Sequence, residues 1–298
     1  MNPLRTLLAA TDLSALARHA VMRAALIAAE SGGQLSLQHV VSVGALDALR
    51  HLLDAGTAGM QQQLLEEVRG EVQALAAEVA AHHGVAAAVR VDVGAVLAEI
   101  ASHADAIDAD LLVLGARGAG FMRELLIGST TERALRKISR PLLVVKQMAH
   151  ESYRRMLVPV DFSARSLDAL RVAQRVAPAA EIVLLHAFEV PFEGKLRFAG
   201  VDEQALSALR VNARREAGAQ MNELVEQAAL DPARVRRIVL HGEASTQILE
   251  QEQAQDCDLI VIGKRGQGVF EEMLLGSVTR HVLARSAADV LVADRRAG

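Results

Sequence analysis

The residues best suited to chemistry in this chain are glycines and hydroxyls set in a repeated frame. Gly115, Gly118, Gly128 and Ser129, followed by Thr130, have the spacing G-x2-G-x9-G-S, and Gly263, Gly266, Gly276 and Ser277 repeat it. The offset is constant, since 263 − 115, 266 − 118, 276 − 128 and 277 − 129 all equal 148. Glycine in a loop permits positive φ and lets a ligand approach bare backbone. The glycine-serine ending falls where a new helical pattern (Ala134, Leu135, Ile138) begins. A helix start offers unpaired N–H groups, the positive end of its dipole and here extra hydroxyl donors, which together seat a phosphate. The competing reading is that the glycines serve only tight turns and helix–sheet packing. Two copies in register, each after an apolar run and before a helix, favour the ligand reading. Arg117 and Arg265 align inside the two loops, where they either neutralise phosphate or stand in solvent.

Two carboxylates recur in the same way. Thr11-Asp12-Leu13-Ser14 and Val160-Asp161-Phe162-Ser163 each follow a short apolar run. Other constellations are less persuasive. His82 and His83 are adjacent on a helical pattern and do not face each other, so they read as a helix end in water. Glu271-Glu272 lies in the second glycine loop, as a solvated pair or as a holder of a nucleotide-bound metal. Neither a GxxxxGK[ST] phosphate loop nor a G-x-G-x-x-G after a first strand is present, which disfavours a P-loop NTPase and a dehydrogenase. No catalytic set and no metal site emerge.

The elements that must hold these residues follow from periodicity. Residues 5–10 read as a first strand, and Ser14 as the N-cap of a helix through Ala17, Val21, Ala24 and Ala28 that stops at Ser31-Gly32-Gly33. Residues 35–41 form a second strand. A long helix over 61–83 buries Leu64, Val68, Val72, Leu75 and Val79 and ends at Gly84. Val89, Val91 and Val93 alternate with Arg90 and Asp92, the mark of a half-exposed edge strand. A helix after Gly94 leads to the buried strand 111–114, the glycine loop, a helix and a fifth strand over 141–145. Alternating strands and helices with apolar strands define a parallel sheet covered on both faces, with ligands bound beyond the carboxyl ends of the strands.

A polar linker follows, and the order repeats: a strand at 156–160, a second at 182–186 with His186 standing where His39 stands, a long helix over 206–229 halted by Asp231-Pro232, a strand at 238–242, then 259–263 and 290–292. A repeat this long is a duplicated domain and not a solenoid. The expected domains are 1–148 and 153–298, each a doubly wound α/β unit with a five-stranded parallel sheet.

Composition narrows the function classes. The 298 residues carry a net charge of −4, which supplies no basic footprint for nucleic acid. With no Trp and a single Tyr, stacking surfaces for single strands are scarce. Half the chain is apolar, much of it alanine, yet no run reaches the length of a spanning helix, and the N-terminus lacks the pattern of a signal peptide. Cys257 is the single cysteine, so no internal disulfide framework exists. It stands where Ala109 stands and reads as a small packing residue. The expected location is the cytoplasm.

The repeated TDLS and VDFS segments, the pairs His39-Val40 and His186-Ala187, and the two glycine motifs resemble the universal stress protein family over nearly the whole chain, as a tandem member. The resemblance implies an adenine nucleotide alpha hydrolase-like fold, ATP as ligand with Mg2+ as its candidate companion, and a regulatory role in the stress response. It assigns ribose and phosphates to the glycine motif, and the adenosine part to the aspartate and to the residue after the strand-two histidine. Carried over, the first site is Asp12, Val40, Gly115, Gly118, Gly128, Ser129 and Thr130. The second is Asp161, Ala187, Gly263, Gly266, Gly276 and Ser277. Arg117 and Arg265 join the two sites by their aligned places in the loops and not by the resemblance. Departures concentrate in the second half: Ala187 replaces a valine, Val278 replaces the hydroxyl of Thr130, and Asp289 stands where Pro141 does. This ranks the first site above the second. The resemblance further implies an intrachain pseudo-dimer of the domains and a homodimer of chains. The alternatives are a slow ATPase or nucleotidyl-transferring enzyme, and an interaction scaffold with empty pockets.

Overall fold

The computed structural model describes residues 3–44, 58–116, 127–264 and 275–294. The chain divides into two compact units at the Ser152–Tyr153 bond.

The first unit runs β1 Thr6–Ala10, α1 Ala15–Ser31, β2 Gln34–Ser42, α2 Ala58–His83, β3 Ala87–Gly94, α3 Val96–Ala106, β4 Leu111–Gly115, α4 Ser129–Lys137 and β5 Leu142–Val145. Its strands lie in the order β3-β2-β1-β4-β5, every pair parallel. β1 lies between β2 and β4, so the strand order reverses there, and the crevice such sheets use lies at the carboxyl ends of β1 and β4. β4 is interior and buried along Leu111, Leu112 and Val113, as its unbroken apolar run requires. β3 pairs only with β2 among the described residues, and this edge position explains its alternating residues.

Local chemistry sets the element ends. Ser14 caps α1 by accepting a hydrogen bond from the Ala17 N–H, and the helix closes on Gly32 in the left-handed region (φ +68°). The next residue must also be glycine, because a Cβ on Gly33 would sit 2.9 Å from the Leu4 carbonyl oxygen. α1 lays Ala17, Ala20, Val21, Ala24 and Ala28 on the sheet, small side chains that let helix and strands approach closely. Of the face expected on α2, Val72, Leu75 and Val79 are buried, whereas Leu64 and Val68 are half-buried.

The second unit runs β6 Arg155–Pro159, α5 Ala164–Val176, β7 Glu181–Phe188, α6 Glu193–Phe198, α7 Glu203–Gln227, a 3-10 turn at Pro232–Arg234, β8 Val235–His241, α8 Ala244–Ala254, β9 Leu259–Gly263, α9 Ser277–Arg285 and β10 Asp289–Ala293. Its parallel strands lie in the order β8-β7-β6-β9-β10, the same topology. Three details differ from the sequence expectation. The long helix starts at Glu203, because Asp202 accepts from the Ala205 N–H at 2.6 Å. It ends at Gln227 before Asp231-Pro232, and Asp231 caps the 3-10 turn instead. The short α6 ahead of it was not anticipated.

One device recurs that periodicity does not reveal. Asp110 accepts from the Arg5 and Thr6 N–H groups, and Asp258 accepts from those of Arg154 and Arg155. Each aspartate ties the start of a sheet's first strand to the strand that carries the glycine motif. Each follows by two positions an aspartate in the left-handed region, Asp108 (φ +48°) and Asp256 (φ +49°). The D-x-D repeat at 108–110 and 256–258 is the signal that could have shown it.

Candidate functional site

Each glycine motif is closed by two bonds that recur in both units. The Gly128 N–H donates to the Ala116 carbonyl at 2.8 Å, and the Gly276 N–H to the Lys264 carbonyl at 3.0 Å. The Thr131 and Thr279 hydroxyls donate to the Gly115 and Gly263 carbonyls, both at 2.9 Å. The helix start is thus fixed against the end of the motif strand. The Gly128 and Gly276 N–H groups are engaged in this closure. The first-turn N–H groups of Ser129, Thr130 and Thr131, and of Ser277, Val278 and Thr279, have no acceptor within their own helices.

The described motif glycines do not need glycine's conformational range. Gly128 and Gly276 sit at φ −60° and −58°, and strand residues Gly115 and Gly263 are not among the positive-φ glycines. This corrects the expectation of positive φ at Gly115 and weakens the tight-turn reading at these four positions.

The aspartate turns are also built alike. Leu13 (φ +64°) and Phe162 (φ +60°) occupy the left-handed region without being glycine, a strain of roughly 1–3 kcal/mol each that the surroundings must hold. Asp12 Oδ1 accepts from the Ser14 N–H and hydroxyl, and Asp161 Oδ1 from those of Ser163. His39 and His186 carry a proton on Nδ1, because each ring nitrogen meets a carbonyl that can only accept, that of Thr11 at 2.9 Å and of Val160 at 2.8 Å. The two histidines therefore pin the end of each first strand to its neighbour.

In the second unit the strand ends enclose a cleft of about 270 Å3. Its walls come from the carboxyl ends of β6, β7 and β9 and the first turns of α5, α8 and α9. Asp161, Ala187, Gly263, Gly276 and Ser277 all line it, joined by Arg165, Ser166, Val278 and Thr279. Arg265 and Gly266 lie outside the described residues, as do Arg117, Gly118 and the Glu271-Glu272 pair. In the first unit Asp12, Val40, Gly115, Gly128, Ser129 and Thr130 stand at the equivalent element ends, with Ser129 and Thr130 exposed.

The departures that lowered the second site acquire local explanations. Val278 lines the cleft, and the hydroxyl that braces the motif strand is the next one, Thr279, matched by Thr131. Asp289 is fully buried at the start of β10 and accepts from the Tyr153 hydroxyl at 2.7 Å. The roles of Thr131, Thr279, His39, His186 and Ser166 escaped the sequence reading; identical register in both halves was the available signal for the first four.

One cleft helix carries an unusually acidic group. Glu243 is the N-cap of α8, accepting from the N–H groups and hydroxyls of Ser245 and Thr246. Burial pushes its carboxyl upward, but these bonds outweigh it and hold the pKa at about 2.

Fold and site together define a duplicated α/β protein whose halves each place an aspartate turn and a glycine–helix junction at the switch in strand order. The profile of the Universal stress protein family matches residues 3–146 and again 152–294. The chain belongs to that family, as a tandem member. A universal stress protein of Mycolicibacterium smegmatis is 30% identical over 197 residues, 63% of this chain and 63% of that protein. The universal stress protein MJ0577 of Methanocaldococcus jannaschii is 28% identical over 156 residues, 48% of this chain and 96% of its own length. The match thus spans just under two thirds of the mycobacterial relative. Among solved structures, a universal stress protein from Archaeoglobus fulgidus DSM 4304 superposes with a TM-score of 0.63 at 23% identity, covering 97% of this chain and 98% of its own. A putative universal stress protein from Pseudomonas aeruginosa gives 0.61 at 16% identity, with 97% and 92% covered. Among the described residues no helix is long and apolar enough to cross a membrane.

Proposed function

We propose that this chain is an ATP-binding regulatory protein of the stress response, with one adenine-nucleotide site in each half and at most slow hydrolysis. The observation that carries the reading is the second-unit cleft, where Asp161, Ala187, Gly263, Gly276 and Ser277 meet from separate elements. An ionised carboxylate at one wall accepts hydrogen bonds from ribose hydroxyls or the adenine amino group, and the small Ala187 leaves room for a flat base. At the opposite wall, Ser277, Val278 and Thr279 present helix-start N–H groups to phosphate. Two glycines there let the ligand lie against backbone. Residence in the cytoplasm, Mg2+ beside the phosphates and pairing with a second copy of the chain belong to the same reading.

The test is the nucleotide content of the purified full-length protein, released by denaturation and resolved by anion exchange, together with thermal unfolding at rising ATP. A ligand at a hundred times its Kd stabilises by about 2.7 kcal/mol if it binds only the folded state. Bound adenine nucleotide and a rising Tm are expected. Absence of both overturns the reading and leaves a scaffold.

A further inference from the structure

The first unit holds a buried polar cluster that neither the glycine motif nor the aspartate turn uses. Ser36 and Gln38 alternate with Leu35 and Leu37 along β2, so their side chains share one face of the sheet, the face that α3 covers. Ser36 Oγ meets His103 Nε2 of α3 at 3.0 Å. Gln38 Nε2 donates to the Glu99 carbonyl of α3 at 3.2 Å and to Asp92 Oδ2 of β3 at 2.7 Å. Arg90 donates its Nε to the same carboxylate. Ser36, Gln38 and His103 are each more than nine-tenths buried.

The second unit has apolar residues in the equivalent strand places. Strand pairing sets Gln38 beside Arg90 and Leu185 beside Ile238, which makes Leu185 the counterpart of Gln38 and Val183 that of Ser36. Leu240 and Gln251 stand 148 positions after Asp92 and His103. The counterpart of α3, α8, thus packs on a strand whose Val183 and Leu185 are buried and cannot titrate.

One ring atom of the cluster is left over. Among the described residues His103 Nδ1 is buried without a hydrogen-bond partner. Gln38 Oε1 is likewise buried and unpartnered, and makes no bond to the ring. A neutral imidazole tolerates this: with its proton on Nε2, donated to Ser36, Nδ1 is only an unused acceptor. An imidazolium does not, because Nδ1 then carries a charged, buried N–H with no acceptor. On β3, Arg90 repels the added charge, and Asp92, which attracts it, is already bonded to Arg90 and Gln38. On α3 itself Glu99 lies one turn ahead, and Asp105 pairs with Arg140 at 3.0 Å. On α4, which also packs on α3, Glu132 pairs with Arg136 at 2.7 Å, and Arg133 and Lys137 are exposed. Burial first, and then the Arg90 charge, hold the His103 pKa below its usual 6.5, with Asp92 opposing.

We propose that this cluster is an acid-sensitive latch: uptake of a proton by His103 releases α3 from the sheet of the first unit, while α8 of the second unit stays seated on Val183 and Leu185. A base whose folded pKa is lowered contributes stability that is complete above the unfolded value and is lost as pH falls below it. The latch therefore holds at neutral pH and weakens below 6.5. α3 begins at the carboxyl ends of the strands, and its counterpart α8 brings Ala244 and Ile248 to the second-unit cleft. A loosened α3 thus disturbs the same side of the candidate site in the first half. The latch works whatever that site binds.

The test is hydrogen exchange of the full chain without ligand, read by mass spectrometry between about pH 7 and about pH 5.5, where histidine titrates, and corrected for the chemical exchange rate. Amides of α3 are expected to open more often as pH falls, by up to about tenfold per pH unit, the limit for one proton, while those of α8 do not follow. His103→Gln, which installs the residue of the second half, and His103→Phe, which keeps a ring, are both expected to remove the slope. Far-UV circular dichroism checks that each variant is folded. Parallel behaviour of α3 and α8 in the wild type overturns the latch, and so does a slope that survives in either folded variant, because the proton then sits elsewhere. Without any variant, NMR titration of the wild-type His103 ring is expected to show a midpoint below 6.5, and a midpoint at or above that value overturns the latch as well.

Discussion

The Thr279 hydroxyl donates to the Gly263 carbonyl at 2.9 Å, and Thr131 makes the same bond to Gly115. Each threonine is buried in the first turn of a helix and ties it to the last residue of the motif strand. The helix start, and with it the row of first-turn N–H groups, is held in place by this bond.

Thr279→Val keeps the shape and removes the donor, leaving a carbonyl short of a partner. A loss of about 1–2 kcal/mol in stability of the second unit is expected, read from denaturant midpoints. ATP affinity at that site is expected to fall beyond what Thr279→Ser loses, because serine keeps the hydroxyl. Equal affinities for the two variants would show that the bond does not aim the helix.

Much of this architecture is legible in the sequence because the signals are periodic or punctuating. The run of buried residues at β4, the alternation of β3 and the stops at Gly32 and Gly84 each follow from one local rule. Duplication reinforces the first of these, since Leu259, Ile260, Val261 and Ile262 repeat the buried run, whereas the matching helices of the second half stop without glycine. Hydroxyl and carboxylate ties were not legible in the same way. Thr131, Thr279, Asp110 and Asp258 carry no local signal of their ties, since their partners lie far off in sequence or in a backbone carbonyl. Asp289 looked like a defect in a strand because its partner, the Tyr153 hydroxyl, is 136 residues away. α6 was missed because six residues, Glu193–Phe198, are too few to establish a helical period.

Tyr153→Phe tests that distant pair. Asp289 is fully buried, so losing the hydroxyl removes a donor from a carboxylate that water cannot reach. A destabilisation of about 1.5–3 kcal/mol is expected. Tyr153 is the sole tyrosine and there is no tryptophan, so tyrosine emission of the wild type reports this one contact during unfolding. A variant as stable as the parent would show that other groups satisfy Asp289.

Cys257 is expected to be inert in the folded protein. It is buried before β9, and burial pushes its thiol up to about 12, with the nearby Arg155 lowering it only in part. The thiolate is the reactive form, and at neutral pH almost none exists. Reaction with a chromogenic disulfide reagent should follow unfolding and accelerate with denaturant. Labelling of native protein at the rate of a free peptide thiol would contradict the buried environment.

Glu243 gives the second unit a defined acid dependence. Four bonds from Ser245 and Thr246 favour its ionised form and depress the folded pKa from 4.5 to about 2. A depressed carboxyl contributes stability that is fully present above the unfolded value and is lost as pH falls through the folded one. The window therefore runs from about pH 4.5 downward to about 2. The side chain is exposed, so screening by water limits the contribution to about 1 kcal/mol, the usual range for a cap. Glu243→Gln removes the charge and keeps one acceptor oxygen, so at neutral pH the variant should unfold at lower denaturant. Other carboxylates titrate in the same range in both proteins, and subtracting the two pH profiles removes them. The difference should be flat above pH 5 and shrink steadily as pH approaches 2. A difference that stays constant across that range would mean that Glu243 acts through packing, and that α8, which carries Ala244 and Ile248 into the cleft wall, is not held by its cap charge.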